Sequence, residues 1–224
     1  MPRPSYLDID PIDVDPDGIA EAQLTAGAAN LVLNGALCDL GTSGIFDVHD
    51  AGYSSGIGGV RIAIDSEGDI NTLTFTVTGK DQDGRSATED ITGVTTTAVE
   101  SVTYWSEISQ IAVDGEVDSN VFVGPVDEVC SRTFPLNWRA SEQPTYITHG
   151  LAGTINFDID ECFDDVQDLL VQNFDNYWYG LDEGNTANTG PISGTLHARA
   201  VRAIVNSYSS GAEFQFDIIQ GGEN

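Results

Sequence analysis

The chain has few basic residues. Lysine and arginine together number eight among 224 residues, against 36 aspartates and glutamates, and Lys80 is the single lysine. Binding to DNA or RNA depends on basic side chains that neutralise phosphates, and attraction to an anionic membrane surface depends on the same groups. A net charge of −28 therefore argues against both kinds of partner. It favours a protein that stays dispersed in solution, or one that works in a saline environment.

Long apolar stretches are absent too, and so is a recognisable signal sequence. A membrane-spanning helix needs roughly 20 consecutive apolar residues, and no run in the chain approaches that length. Residues 1–10 contain neither the basic region nor the apolar core that directs secretion. We therefore expect no membrane partner and a protein that folds in a reducing cytoplasm.

Cysteine is scarce, and Cys38, Cys130 and Cys162 lie far apart in the chain. Structural zinc sites place their ligands in closely spaced pairs, and disulfide scaffolds use a dense, even set of cysteines. Neither pattern is present here. We interpret the three residues as small buried side chains, with a single disulfide as the alternative.

Signals of catalysis are sparse as well. His49, His149 and His197 are isolated from one another, and no H-E-x-x-H motif occurs. The glycine-rich segment 56–59 precedes a strand pattern, so it lacks the helix N-terminus that binds phosphate. We expect a protein that is not an enzyme and needs no cofactor. A carboxylate pair for glycoside cleavage is formally possible in so acidic a chain.

Alternating apolar and polar residues predict a fold built of β-strands. In segments 60–65, 73–78 and 153–160 every second residue is apolar, as on a strand with one buried face. Further strand patterns occupy 87–92, 101–106, 108–113, 121–123, 199–206 and 212–219. Short strands separated by turns at this spacing predict an all-β fold of one or two antiparallel β-sandwich or jelly-roll-like units.

Turn residues predict how these strands connect. Asp81–Gly84 has the composition of a hairpin turn. Asp114–Gly115 and residues 207–211 also separate consecutive strand patterns, so each is expected to close a hairpin. Residues 164–174 show apolar residues at helical spacing and predict one short helix. Residues 182–191 are rich in Gly, Asn and Thr and are interpreted as a surface loop.

Composition divides the chain into four parts. Residues 1–18 alternate proline with aspartate and are interpreted as an extended arm, since proline removes hydrogen-bond donors and like charges repel. We expect this arm to contact another chain. An N-terminal β-domain at 19–124 and a C-terminal β-domain at 130–224 follow, separated by a linker at 125–129.

Two acidic clusters are candidate metal sites. Asp13, Asp15 and Asp17, followed by glycine, fit the start of a calcium-binding loop, although the bidentate glutamate expected at the twelfth position is missing. The alternative is a solvated acidic arm. A second cluster runs from 158 to 165, where charges could hold a divalent ion or discourage wrong strand pairing. Calcium is therefore a possible ligand but no metal is predicted.

Tyr177, Trp178 and Tyr179 are the candidate partner-binding residues. Consecutive aromatic side chains can stack on a sugar ring, or can fill a core or a protein interface, where aromatic residues are enriched.

The order of several strand motifs resembles that of a known family. The motifs are D-G-I-A at 17–20, N-L-V-L-N-G-A at 30–36, T-F-T-V-T-G at 74–79, I-S-Q-I-A-V-D-G at 108–115, V-F-V-G at 121–124, G-T-I-N-F at 153–157, R-A-V-R-A-I at 199–204 and F-Q-F-D-I-I-Q-G at 214–221. In this order they resemble β-rich virion proteins encoded in the structural gene blocks of tailed bacteriophages. The resemblance covers residues 17–221 and implies no catalytic residues. The acidic arm and the aromatic segment depart from it.

The resemblance implies a virion protein, with a capsid decoration (cement) role on the outside of the head as the leading hypothesis. Its partners would be the major capsid protein or other virion proteins, and it would form homo-oligomers on the particle. A tail, adaptor or fibre-like component is one alternative. A secreted calcium- or carbohydrate-binding β-module is an alternative of another class.

Overall fold

The computed structural model describes residues 5–39, 44–95, 97–163, 178–181, 185–186, 190–195 and 197–220. Within these ranges the chain forms strands and turns without a helix, and every strand pair with a described register is antiparallel. The all-β prediction is therefore confirmed. The helix predicted at 164–174 and most of the loop predicted at 182–191 lie outside the described residues. No described segment forms a helix of the length and apolarity needed to cross a bilayer.

The strands are, in chain order, β1 Ser5–Ile9, β2 Ala20–Thr25, β3 Ala29–Asn30, β4 Cys38–Asp39, β5 Ile45–Asp47, β6 Ile57–Ser66, β7 Thr74–Asp81, β8 Ser86–Thr92, β9 Val99–Glu100, β10 Trp105–Val113, β11 Val117–Ser131, β12 Phe134–Pro135, β13 Thr145–Ala152, β14 Ile155–Cys162, β15 Trp178–Gly180, β16 Asn185–Thr186, β17 Gly190–Ser193, β18 Ala200–Tyr208 and β19 Glu213–Ile219.

The chain divides into two compact units whose bounds differ from the predicted domains. Unit 1 comprises residues 1–12, 54–57 and 130–224, and unit 2 comprises 13–53 and 58–129. Residues 125–129 are not a linker but belong to the long strand β11. The glycine at 124 marks a close approach of two chain segments rather than a turn, since a Cβ there would lie 2.1 Å from the carbonyl oxygen of Asp15.

Residues of the predicted N-terminal arm are built into this chain's own fold. Strand β1 pairs with β19 from Ser5 opposite Ile218 to Ile9 opposite Phe214, and the Ile9 side chain is fully buried. Ser54 fastens the other edge of β1: its Oγ donates to the Asp8 carbonyl at 2.7 Å and accepts from the Asp10 N–H at 2.8 Å. Contact between the arm and another chain stays a prediction.

Unit 1 is a two-layered sandwich. One layer is a four-stranded sheet in the order β1-β19-β13-β17, and the other contains β15, β14, β18 and β12. The predicted alternation of 153–160 is confirmed, because Ile155, Phe157 and Ile159 of β14 are all buried. The ring of Phe157 packs on that of Phe214 from the opposite layer, with centroids 4.4 Å apart.

Consecutive strands of unit 1 cross between layers instead of pairing. The hairpin predicted around 207–211 is wrong: β18 pairs with β14, whereas β19 pairs with β13. The chain likewise passes from β13 in one layer to β14 in the other through Gly153, which has φ +66°. The two crossings are joined where Ser209 N–H donates to the Thr154 carbonyl at 2.9 Å and Thr154 N–H donates to Ser209 Oγ.

Unit 2 is organised around β6, β7, β10 and β11. The predicted hairpin at Asp81–Gly84 is confirmed, with β7 and β8 paired over seven residues and Gly84 in the left-handed region at φ +75°. The hairpin predicted at Asp114–Gly115 is wrong. Strand β10 pairs with β7 and the following strand β11 pairs with β2, because Asp114 is tied to β7 through hydrogen bonds with the backbone of Thr74. The interior is lined by buried side chains that include Ile62, Ile64, Phe75, Val77, Trp105 and Ile111.

Candidate partner-binding surface

The strand β15 carries the two described members of the predicted aromatic trio. Trp178 lies opposite Cys162 and Tyr179 lies opposite Glu161 of β14, whereas Tyr177 lies outside the described residues. Because successive residues of a strand point to opposite faces, Trp178 and Tyr179 have different surroundings.

Trp178 is held by an arginine. The Arg202 guanidinium lies 4.2 Å from the centre of the Trp178 ring, and its Nη2 and Nε both donate to Asp160 Oδ2, at 2.9 and 3.1 Å. Asp160 and Arg202 face each other on β14 and β18 and are largely shielded from water. The salt bridge keeps the cation over the ring, so Trp178 has a fixed orientation.

Tyr179 is the more exposed ring. Its exposed fraction is 56%, and it makes an edge-to-face contact with Phe163, itself 38% exposed, with ring centroids 5.6 Å apart. Phe163 directly follows the end of β14, and Tyr179 lies opposite Glu161 of that strand. Together they form a small apolar surface that is exposed to solvent.

A second aromatic–arginine group surrounds Trp138, which is 41% exposed. The guanidinium groups of Arg139 and Arg199 lie 4.7 and 4.9 Å from the ring centre. His197 Nδ1 donates to the Trp138 carbonyl at 3.0 Å, and His197 itself has φ +72°. We name these residues and those around β15 together the aromatic–arginine surface, although Trp178 and Tyr179 lie on opposite faces of β15: Trp138, Arg139, Asp160, Phe163, Trp178, Tyr179, Arg199 and Arg202.

This surface combines exposed aromatic rings with arginines, and Tyr6 of β1, 68% exposed, is an aromatic residue that lies outside it. Three of the eight basic residues of the sequence belong to it. Among the described residues of unit 2, the large hydrophobic side chains that are exposed are all aliphatic. Aromatic residues and arginine are the types most enriched at protein interfaces and most often decisive for affinity. The arrangement is therefore suited to binding another protein.

The candidate acidic metal sites are not assembled in the part of the chain that the structure describes. Asp15 and Asp17 lie side by side, and burial, followed by the hydrogen bond and charge of Asp17, raises the pKa of Asp15. Across the described ranges, no three His, Cys, Asp or Glu side chains come together as a metal site would require. The described members of the second cluster are spread over both faces of β14, where Asp158 accepts from Asn206 and Asp160 accepts from Arg202, whereas Asp164 and Asp165 lie outside the described residues.

Glu161 of this second cluster points into unit 1 and is fully buried. Its Oε1 accepts from the Tyr146 hydroxyl at 2.6 Å, and its two oxygens accept from the Thr195 N–H at 2.9 and 3.0 Å. Burial, and then the hydrogen bond and charge of Glu161, raise the pKa of Tyr146. The carboxylate thus joins β13 and the segment after β17 to β14, which is a structural role.

The structure also accounts for the cysteines and for one motif that sequence reasoning overlooked. All three cysteines are buried and none is in a disulfide, so the interpretation as small buried side chains is confirmed.

Residues 52–56 read G-Y-S-S-G and match the G-x-S-x-G pattern of serine hydrolases. Here Ser54 precedes the strand β6 rather than a helix, and its hydroxyl proton is donated to the Asp8 carbonyl. This serine fastens β1.

Comparison of the chain with family models, curated proteins and solved structures found no match.

The arginine partners of the surface were also missed at the sequence level. Arg199 and Arg202 lie about 20 residues or more from Trp178 and 60 or more from Trp138, so no local pattern connects them. The signal that could have indicated them is the small number of basic residues in the sequence. An arginine in a chain this acidic is a residue that needs an explanation.

Proposed function

We propose that this protein is a structural component of a tailed-bacteriophage virion that decorates the outside of the head and joins neighbouring capsid subunits. The order of its strand motifs supports the virion class. Its charge of −28 supports an external position, because packaged DNA repels an acidic protein.

The observation that carries the proposal is the aromatic–arginine surface of unit 1. Tyr179 and Trp138 are exposed, and the Trp138 and Trp178 rings lie against arginines. Rings that are already fixed lose little conformational entropy when a partner covers them. Many copies of a modest contact of this kind, repeated by the symmetry of a shell, give firm attachment.

The test is to mix the purified protein with heads that lack it and to measure the bound fraction across a salt series. We expect binding that survives moderate salt, since buried apolar area is screened little. Tyr179→Ala and Trp138→Ala should each lower the affinity at least about ten-fold, the usual effect of removing an interface anchor. Val102→Ala is the matched control, because Val102 is 81% exposed but lies in unit 2.

Two outcomes would overturn parts of the proposal. Complete release at low ionic strength would show that charge, not the rings, holds the protein. Gold-labelled antibody that marks tails instead of heads would reject the decoration role and favour the tail or adaptor alternative.

A further inference from the structure

Unit 2 contains a groove that the proposed function does not use. The groove has a volume of about 420 Å³ and lies between strand β10 and the segment 30–34. Strand β10 pairs with β7 along one side. Along its other side it pairs with β5 up to Ile108 and with β3 from Ala112, and Leu31 N–H donates to the Ile111 carbonyl. Ser109 and Gln110 are left between these partners and form the floor.

Carboxamide groups dominate the chemistry of the groove. Gln110 Nε2 donates to Asn30 Oδ1 at 2.8 Å. This bond leaves one acceptor, Gln110 Oε1, and one donor, Asn30 Nδ2, without a partner among the described residues, and both side chains are exposed. Ser109 Oγ donates to the Thr78 carbonyl and retains its lone pairs as acceptors.

The wall of the groove is rigid. The Gln23 side chain forms two hydrogen bonds with the backbone of Val32. Its Nε2 donates to the Val32 carbonyl at 3.0 Å, and its Oε1 accepts from the Val32 N–H at 2.8 Å. At the far end Gly44 has φ +62°, and a Cβ there would lie 2.4 Å from the Leu33 carbonyl oxygen. The Val32 side chain, 63% exposed, supplies an apolar patch beside the amides.

The described side chains that line this groove are uncharged, although unit 2 is the more acidic of the two units. None of its described lining residues is charged, although a fifth of the sequence is. A cationic ligand would find no carboxylate in the lining, and an anionic ligand would be repelled by the unit as a whole. The gap of two residues on β10 spans about 7 Å, which is too short for an added peptide strand.

We propose that this groove binds a neutral saccharide. A sugar hydroxyl both donates and accepts, as the paired Asn30 and Gln110 amides require, and the C–H face of a sugar ring fits against Val32. The groove has the size of an ordinary small-molecule site. The site is independent of the aromatic–arginine surface, which lies in unit 1.

The test is titration of the full-length protein with maltotriose and with chitotriose, followed by the side-chain amide signals in NMR. We expect saturable shifts of the Asn30 and Gln110 amides with a Kd of about 1 mM. Gln110→Ala should weaken binding about five-fold or more, the usual effect of one lost hydrogen bond, and Ser109→Trp should abolish it by filling the groove. Gln215→Ala removes an amide from unit 1 and should change nothing.

Three results would overturn the proposal. The first is that neither trisaccharide causes saturable shifts up to about 20 mM. The second is that Gln110→Ala leaves binding unchanged. The third is that the anionic trigalacturonate binds as tightly as the neutral sugars or more tightly. Because attachment to heads is not measured, failure here leaves the decoration role intact, and failure of head binding leaves the groove intact.

Discussion

Each unit contains a tyrosine hydroxyl that donates to a glutamate, and the two pairs lie in different surroundings. In unit 1, Tyr146 and Glu161 are both buried, and the other donor to the carboxylate is a backbone N–H. In unit 2, Tyr104 donates to Glu128, which is partly exposed and also accepts from Arg61 at 2.8 Å. A carboxylate buried among neutral donors depends on every hydrogen bond it receives, whereas a partly exposed one beside arginine can also be solvated.

The surfaces of the two units also differ, both in charge and in the hydrophobic side chains that they expose. Unit 2 has 21 acidic and 3 basic residues, and unit 1 has 15 and 5. Unit 1 exposes aromatic rings beside arginines, whereas unit 2 exposes single aliphatic side chains. Unit 1 therefore combines a buried glutamate with exposed aromatic rings, and the described charged side chains of unit 2 are not buried. If the proposed virion role holds, unit 1 would make the contacts with the head and unit 2 would keep the particle surface soluble.

The largest expected difference concerns the two glutamates. Glu161→Ala leaves the Tyr146 hydroxyl and the Thr195 N–H without an acceptor and opens a cavity, so it should lower the free energy of unfolding by about 3–4 kcal/mol. Glu128→Ala should lower it by about 1 kcal/mol. Urea unfolding followed by circular dichroism measures both. Equal losses would show that burial of the pair in unit 1 has no energetic consequence. Should Glu161→Ala fail to fold, Glu161→Gln keeps one acceptor and should cost less.

The predicted arm gives the second test, because its two halves belong to different units. Ile9→Ala empties a fully buried position of β1 and should cost about 2–3 kcal/mol. Val14→Ala changes an exposed side chain of unit 2 and should stay within about 0.5 kcal/mol. A small loss for Ile9→Ala in the isolated protein would restore the view of the arm as a free segment that serves another chain.

Alkaline pH should weaken unit 2 through Cys38. Burial raises the pKa of Cys38 from 9.0 to about 11, and its Sγ donates to the Ile19 carbonyl at 3.2 Å. The unfolded thiol ionises above its ordinary pKa while the folded thiol stays neutral. The contribution of the neutral Cys38 thiol to the free energy of unfolding is therefore fully present below pH 9. It is lost as the pH rises to about 11, which lowers the free energy of unfolding by on the order of 1–2 kcal/mol. Unfolding free energies at pH 8 and pH 11 should differ less in Cys38→Ala than in wild type, and an unchanged difference would contradict this assignment.

The smallest expected effect is that of Tyr179→Ala on the isolated protein. The ring is mostly exposed, so its removal should change the free energy of unfolding by no more than about 0.5 kcal/mol. Binding to heads should fall in the same variant. A loss of stability as large as the loss of binding would mean that the ring belongs to the fold rather than to the interface.

Much of the candidate surface could not be predicted from the sequence. Trp178 and Tyr179 were identifiable because three aromatic residues stand together in a polar segment. Phe163 and Arg202 were not, because their contacts with these rings depend on β15 pairing with β14 and β14 pairing with β18. The acidic candidates Asp13, Asp15 and Asp17 suggested a calcium loop by spacing alone. Spacing does not decide whether carboxylates converge, and the structure does not bring these three together as a metal site would require.

The sequence by itself determined that the chain is all-β and where its main strands lie. Alternation with period two is a local property, since it needs only the burial of one strand face, and Phe157 and Ile159 or Ile62 and Ile64 display it within a few residues. Local signals also determined the hairpin at Asp81–Gly84, where turn chemistry and pairing coincide.

Only the tertiary structure decided which strands pair. Residues 207–211 and Asp114–Gly115 have the composition of hairpin turns, yet each connects strands that pair elsewhere. Pairing is set by the partners available across the whole core, and a turn sequence specifies that the chain reverses without specifying whether it returns in the same sheet or crosses to the next layer. In unit 1 the chain crosses twice, at Gly153 and after β18. These crossings place Tyr146 against Glu161 and Phe157 against Phe214, because packing two layers buries more apolar surface than a hairpin open to water on one face.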